Sequence, residues 1–308
     1  DGIQTDYSSI FMHDGDAAGF NFVPGNNHLG YHWGDTGAWW WDSGLIAPAG
    51  EWSHVAMVVE PTGVTIYVNG RGSKNAFTVD PVNFDSGNRL GNYKGWGGRF
   101  MKGSMDEVCI FNKSLTQAEI RELMHLTKDP AEFPNLISYY QFNESTSTVL
   151  DKVGVRHGSL VGPTIKREKS TAPVGKGVSK RLTVAPGRKR YSFTGTGLTL
   201  AFPTAGTYPN GEVVVSRLFV SPDTLPNATY AGSTDYWILQ NYGSNASFTA
   251  ERMRSSSSTV RMRVPIAHHD ARPEALFGVR GSDAERAVDL GQQPLCGREQ
   301  RGVGGQHR

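Results

Sequence analysis

Residues 54–70 leave little room for anything but antiparallel sheet. His54-Val-Ala-Met-Val-Val59 is a short, β-branched apolar run bounded by Pro61 and Gly63, the pattern of a strand buried on at least one face. Val64, Ile66 and Val68 then alternate with Thr65, Tyr67 and Asn69, so the next strand carries one aliphatic face. Glu60-Pro-Thr-Gly63 joins the two with turn chemistry, and Asn69-Gly70 supplies a second turn signal of the same kind. Two strands and two turns within about 20 residues is meander spacing, which argues for an antiparallel sandwich rather than βαβ units. The 37 glycines, 16 prolines and 19% charged residues agree with a turn-rich all-β chain.

Further segments occur around this hairpin in one order: Glu51-Trp52-Ser53-His54-Val55-Ala56, Thr65-Ile66-Tyr67-Val68-Asn69-Gly70, Gly103-Ser104-Met105-Asp106-Glu107-Val108 and Ser114-Leu115-Thr116-Gln117-Ala118-Glu119-Ile120. Together they resemble a laminin-G-like domain, a jelly roll of the concanavalin A-like type. The resemblance implies an antiparallel jelly-roll β-sandwich that works as an extracellular binding module of a secreted or cell-surface protein. Its motifs specify the fold better than the ligand. Thr116 and Glu119 are spaced as a capping box, and Ile120, Leu123, Met124 and Leu126 form an apolar stripe. A helix is therefore expected from Thr116, stopped by Pro130 and Pro134 and latched onto the sandwich.

At 308 residues the chain exceeds one average domain. The expected division is a laminin-G-like jelly roll lacking its first strands over 1–128, a linker with a partial repeat-like strand over 129–173, a second, smaller β-sandwich over 174–250, and a disordered or aberrant tail over 251–308. The first unit enters a strand almost at once, whereas the opening strands of such domains come earlier. In the linker, Asn135-Leu-Ile-Ser-Tyr-Tyr-Gln-Phe142 resembles the opening strand of another such unit. Glu212-Val-Val-Val-Ser-Arg-Leu-Phe-Val220 and Tyr236-Trp-Ile-Leu239 are the strongest strand signals of the second sandwich. Ten arginines and no lysine, tyrosine or tryptophan follow Glu251, with no sustained period, which suggests chain unable to offset its ordering entropy or a frameshifted sandwich end. Interspersed Asp and Glu argue against a nucleic-acid-binding tail.

The formal charge of +2 gives no global field for nucleic acid, and no apolar run is long enough to span a bilayer. Cys109 and Cys296 lie in segments of different composition, so a buried free thiol is favoured over a disulfide.

Catalysis is not expected. Related jelly rolls that cleave glucans set their acids at alternate positions on one strand, whereas Asp106 and Glu107 are adjacent and would face opposite sides. Calcium is the best chemical expectation, because hard oxygen ligands suit it and such domains use an acid in this final strand; Asp106 leads, with Asp14 and Asp16 weaker. Alternation places Tyr31 with Trp33, and Trp39 with Trp41, so part of the aromatic set must be core. Trp40 and Trp96, with Tyr93 in the glycine-rich Asn92–Gly98 surroundings, are the candidate carbohydrate contacts. Carbohydrate recognition thus competes with an adhesion or structural role in which an extracellular protein is the partner, and a glycoside hydrolase fragment ranks last.

Overall fold

The computed structural model describes residues 2–15, 17–25, 27–34, 41–84, 87–95, 97–188, 190–202, 206–221, 235–245 and 248, with the strand backbones of 252–254, 259–263, 274–278 and 287–289. The first part of the chain forms β1 (Ser9–His13), β2 (Ala18–Phe22), β3 (His28–His32), β4 (Asp42–Ile46), β5 (Val55–Glu60), β6 (Gly63–Val68), β7 (Arg71–Ala76), β8 (Asn88–Leu90), β9 (Val108–Phe111) and α1 (Gln117–Leu123). A five-stranded sheet runs in the order β4-β3-β2-β1-β8, and β5-β6-β7 is a three-stranded meander. Every pairing in both is antiparallel.

The two sheets share one core. Phe22, Leu29, Tyr31 and Trp33 from the larger sheet meet Val64, Ile66 and Val68 from the meander, as the period-2 alternation of those segments requires. A bulge between Ser9 and Phe11 puts Ile10 into this core and lays the Phe11 ring 5.9 Å from that of Phe84. Asn69 and Gly70 have φ of 47° and 71°, the two positive values that a tight hairpin turn with native twist needs.

Two sequence expectations shift here. Asp106 was expected to lie on the final strand, yet β9 begins only at Val108 and Glu107 sits at φ 53°. The capping box forms as expected, with Thr116 Oγ1 accepting from the Glu119 N–H, but α1 ends at Leu123, well before Pro130. Lys128 Nζ donates to the carbonyls of Leu123 and Leu126 at 3.0 and 2.6 Å, which supplies the ended helix with partners before the prolines are reached.

Beyond α1, β10 (Leu136–Tyr140) pairs antiparallel with β9, so the strand that resembles the opening of another unit is used to extend this one. A small hairpin of β11 (Thr148–Val149) and β12 (Gly158–Ser159) follows. The second sandwich contains β13 (Gly177–Val184), β14 (Arg190–Phe193), β15 (Leu198–Ala201), β16 (Gly211–Leu218), β17 (Tyr236–Asn241), β18 (Arg252–Arg254), β19 (Thr259–Arg263), β20 (Glu274–Gly278) and β21 (Ala287–Asp289). Its sheets run β13-β16-β17-β20 and β14-β15-β18-β19-β21. Strands therefore continue past Ala250, where the sequence suggested irregular chain: β20 pairs with β17 and β18 with β15. The core joins Tyr191, Phe193, Leu198, Leu200 and Phe202 from one sheet to Val184, Val213, Val215, Trp237 and Leu239 from the other. Among the described residues no helix is long and apolar enough to cross a membrane.

Candidate functional site

A loop after β8 is folded over the edge of the larger sheet of the first sandwich. Asp14, just past β1, anchors its start. The Asp14 N–H donates to the Gly87 carbonyl at 3.0 Å, Oδ2 accepts from Arg89 Nε at 2.5 Å, and Oδ1 accepts from the Lys94 N–H at 3.2 Å. The far end of the loop is laced to the strand and the residues before it. The Gly91 N–H donates to Ile10 O at 2.9 Å, the Ser9 N–H to Arg99 O at 3.1 Å, and Gln4 exchanges two hydrogen bonds with the Lys102 backbone at 2.7 and 2.8 Å.

Between these anchors the Arg99 guanidinium carbon lies 4.9 Å from the ring centroid of Tyr7 and 5.6 Å from that of Tyr93, within cation–π range of both. Tyr93 is held from the other direction by the chain itself: a Cβ on Gly95 would approach the hydroxyl end of the ring to 2.4 Å. A larger residue at 95 would push the Tyr93 ring out of this position. The Tyr7 ring also meets His32 edge-on, with centroids 6.2 Å apart. Burial, helped by the nearby Arg99 charge, holds the His32 imidazole down at about 4, so it is neutral at neutral pH. Burial and the Asp6 carboxylate raise the Tyr7 phenol. The result is a rim of aromatic rings and guanidinium groups tied down at both ends, with Lys94 and Phe100 at the surface. Such a surface can stack and hydrogen-bond a polyhydroxylated ligand.

Of the residues singled out from sequence, Tyr93 and Asp14 are brought into this rim. Trp40, Trp96 and Asp16 lie outside the described residues. Tyr31, Trp33 and Trp41 are core: Tyr31 stacks on Phe77 and packs 5.4 Å from Trp41, and Trp33 Nε1 donates to Asp80 O at 2.7 Å. Tyr7, Arg89 and Arg99 were missed, since their partnership spans some 90 residues and no local period marks it. The only local signal was the glycine-rich 95–98 segment flanked by Tyr93 and Arg99.

Asp106 belongs to a different cluster. Its Oδ1 accepts from the Glu107 N–H at 2.9 Å. The Glu107 carboxylate in turn accepts from the Tyr139 hydroxyl and, at 3.4 Å, from Gln141 Nε2. Burial raises the Glu107 carboxyl against the opposing effect of these hydrogen bonds. Calcium takes six to eight oxygen ligands. Among the described residues no group of three or more His, Cys, Asp or Glu side chains is placed to hold a metal ion, and both carboxylate oxygens of Asp14 are already engaged by Arg89 and Lys94.

Two antiparallel sheets packed face to face over one core are the architecture of a β-sandwich, on which function resides in the loops rather than in the fold. Residues 3–121 match the laminin-G family model described as the concanavalin A-like lectin/glucanases superfamily, so this part of the chain is similar to the laminin-G-like jelly rolls. No curated protein and no solved structure matches the chain.

Proposed function

We propose that the first sandwich binds carbohydrate at the rim built by residues 87–95 and 97–102, without catalysing its cleavage, as part of a secreted or cell-surface protein. The observation that carries this reading is the Tyr7–Arg99–Tyr93 stack on a loop tied down at both ends. Preorganised rings and guanidinium groups lose little entropy when a sugar docks, and the lectin/glucanase family match of residues 3–121 points the same way. A non-catalytic role is supported by the chemistry at Asp106 and Glu107. One carboxylate is turned onto its neighbour's backbone and the other onto Tyr139, which is unlike a pair flanking a glycosidic bond across 5 to 9 Å, roughly the spacing such chemistry uses.

A glycan array followed by calorimetry on the best saccharide tests the site. Tyr93→Ala and Arg99→Ala should each weaken binding about tenfold, the size of a lost stacking or cation–π contact, while Lys74→Ala on β7 should not. Saccharide affinity that is unchanged in both rim variants would remove the assignment. Phe100, 59% exposed beside Arg99, and Ile3, 70% exposed, favour the second reading, an extracellular protein partner. If that reading holds, Phe100→Ser abolishes capture of a protein ligand and no saccharide competes.

A further inference from the structure

The outer face of the β16–β17 pair is as dry as its inner face. Val213, Val215, Trp237 and Leu239 fill the core of the second sandwich. Their alternates Val214, Ser216, Leu218, Tyr236, Ile238 and Gln240, which point the opposite way, are no more than 5% exposed. The cover comes from the end of α1 and the segment after it. Leu126 packs on Leu218, Tyr236 and Ile238, and Gln240 Nε2 reaches Met124 Sδ at 3.3 Å.

Around this apolar patch sits a half-buried polar clamp centred on Arg121 of α1. Its Nε donates to the Gly70 carbonyl in the β6–β7 turn at 2.8 Å, and Nη1 pairs with Glu212 Oε1 on β16 at 2.7 Å. The guanidinium lies 3.8 Å from the centroid of the Tyr242 ring just after β17. The Tyr242 hydroxyl donates to Asn69 O at 3.0 Å, and the second oxygen of Glu212 holds Arg181 at 2.8 Å. A Cβ on Gly70 would strike Arg121, Tyr242 and Met124 at 2.7–2.9 Å. The joining segment is strapped down as well: Trp52 Nε1 donates to Thr171 Oγ1 at 3.0 Å, His125 Nδ1 lies 2.9 Å from Pro173 O, and Gly175 exchanges backbone hydrogen bonds with His125 and Thr127.

We infer that α1 and the β6–β7 turn form a docking surface whose occupant is this chain's own second sandwich, and that the two sandwiches fold and unfold as one unit with Arg121 as the positioning residue. A pair of domains joined by a flexible linker would leave the outer face of β16–β17 polar and alternating. The inference is independent of what the rim of the first sandwich binds.

Hydrogen exchange followed by mass spectrometry on the full chain in mild urea tests it. In the wild type, peptides covering 55–68 and 211–218 should exchange through one shared opening event. Arg121→Ala should uncouple them, with the 211–218 peptide exchanging about tenfold faster than the 55–68 peptide. Arg121→Lys keeps the charge but loses the planar fork and ring stacking, so it should give an intermediate separation and guards against a variant that does not fold. Independent exchange of the two peptides in the wild type, or matched rates in both variants, would overturn the proposal.

Discussion

Single side chains in this molecule set its response to acid. His54 opens the 54–70 hairpin with its backbone bonded to Asn69, and its Nδ1 is enclosed with no hydrogen-bond partner. Burial first, then the charges of Lys128 and His125, hold the imidazole down at about 3 against an ordinary value of 6.5. The unfolded chain therefore takes up a proton that the folded chain refuses. The stabilisation from this site is complete above pH 6.5 and is lost as pH falls from 6.5 toward 3, at no more than about 1.4 kcal/mol per pH unit. Urea unfolding at pH 7.5 and pH 5.0 should show the wild type losing up to about 2 kcal/mol more than His54→Gln, with His32 adding a similar loss to both proteins. Equal losses would mean that the ring is not held neutral. Cys109, by contrast, is a packing residue: burial pushes its thiol up to about 11, as a small apolar side chain in Val108-Cys-Ile-Phe111 would be expected to show.

At the scale of elements, the parts that local chemistry dictates were legible and the parts that distant partners dictate were not. The β5–β6 hairpin and the Asn69-Gly70 turn are written in alternation and turn residues. The α1 start is equally plain, because Thr116 and Glu119 satisfy each other within one turn. With only seven residues, α1 is too short to stand by propensity, so Thr116→Ala should cost about 1 kcal/mol in thermal or urea unfolding of the whole chain. No change would show that tertiary packing alone holds the helix. The end of α1 was misjudged because proline is a conspicuous stop, whereas Lys128 capping two carbonyls leaves no pattern. The strands after Ala250 went unseen for a related reason: β18 and β20 are defined by pairing with β15 and β17, at separations of 51–55 and 34–42 residues, and contacts at such separation carry no local period. The rim followed the same rule. Tyr93 was visible beside its glycines, while its companions Tyr7 and Arg99 were joined to it only by folding.

For the whole molecule, the continuous apolar runs Val213-Val-Val215 and Tyr236-Trp-Ile-Leu239 were the sequence's notice of two-sided burial, although they first read simply as strong strands. They mean that β16 and β17 have no wet side. In an ordinary half-exposed strand, sliding by one residue throws its greasy side chains into water, and that penalty keeps the pairing in step. Here such a slide would merely exchange one oily neighbour for another. Alignment must come instead from the few polar pegs that fit at one setting: Ser179 against Ser216 at 2.9 Å, Arg217 gripping Asp235 at 2.6 Å, and the Trp237 indole N–H on Thr196 O at 2.8 Å. A few polar contacts, rather than the apolar burial around them, thus keep these strands from being threaded one notch out of place.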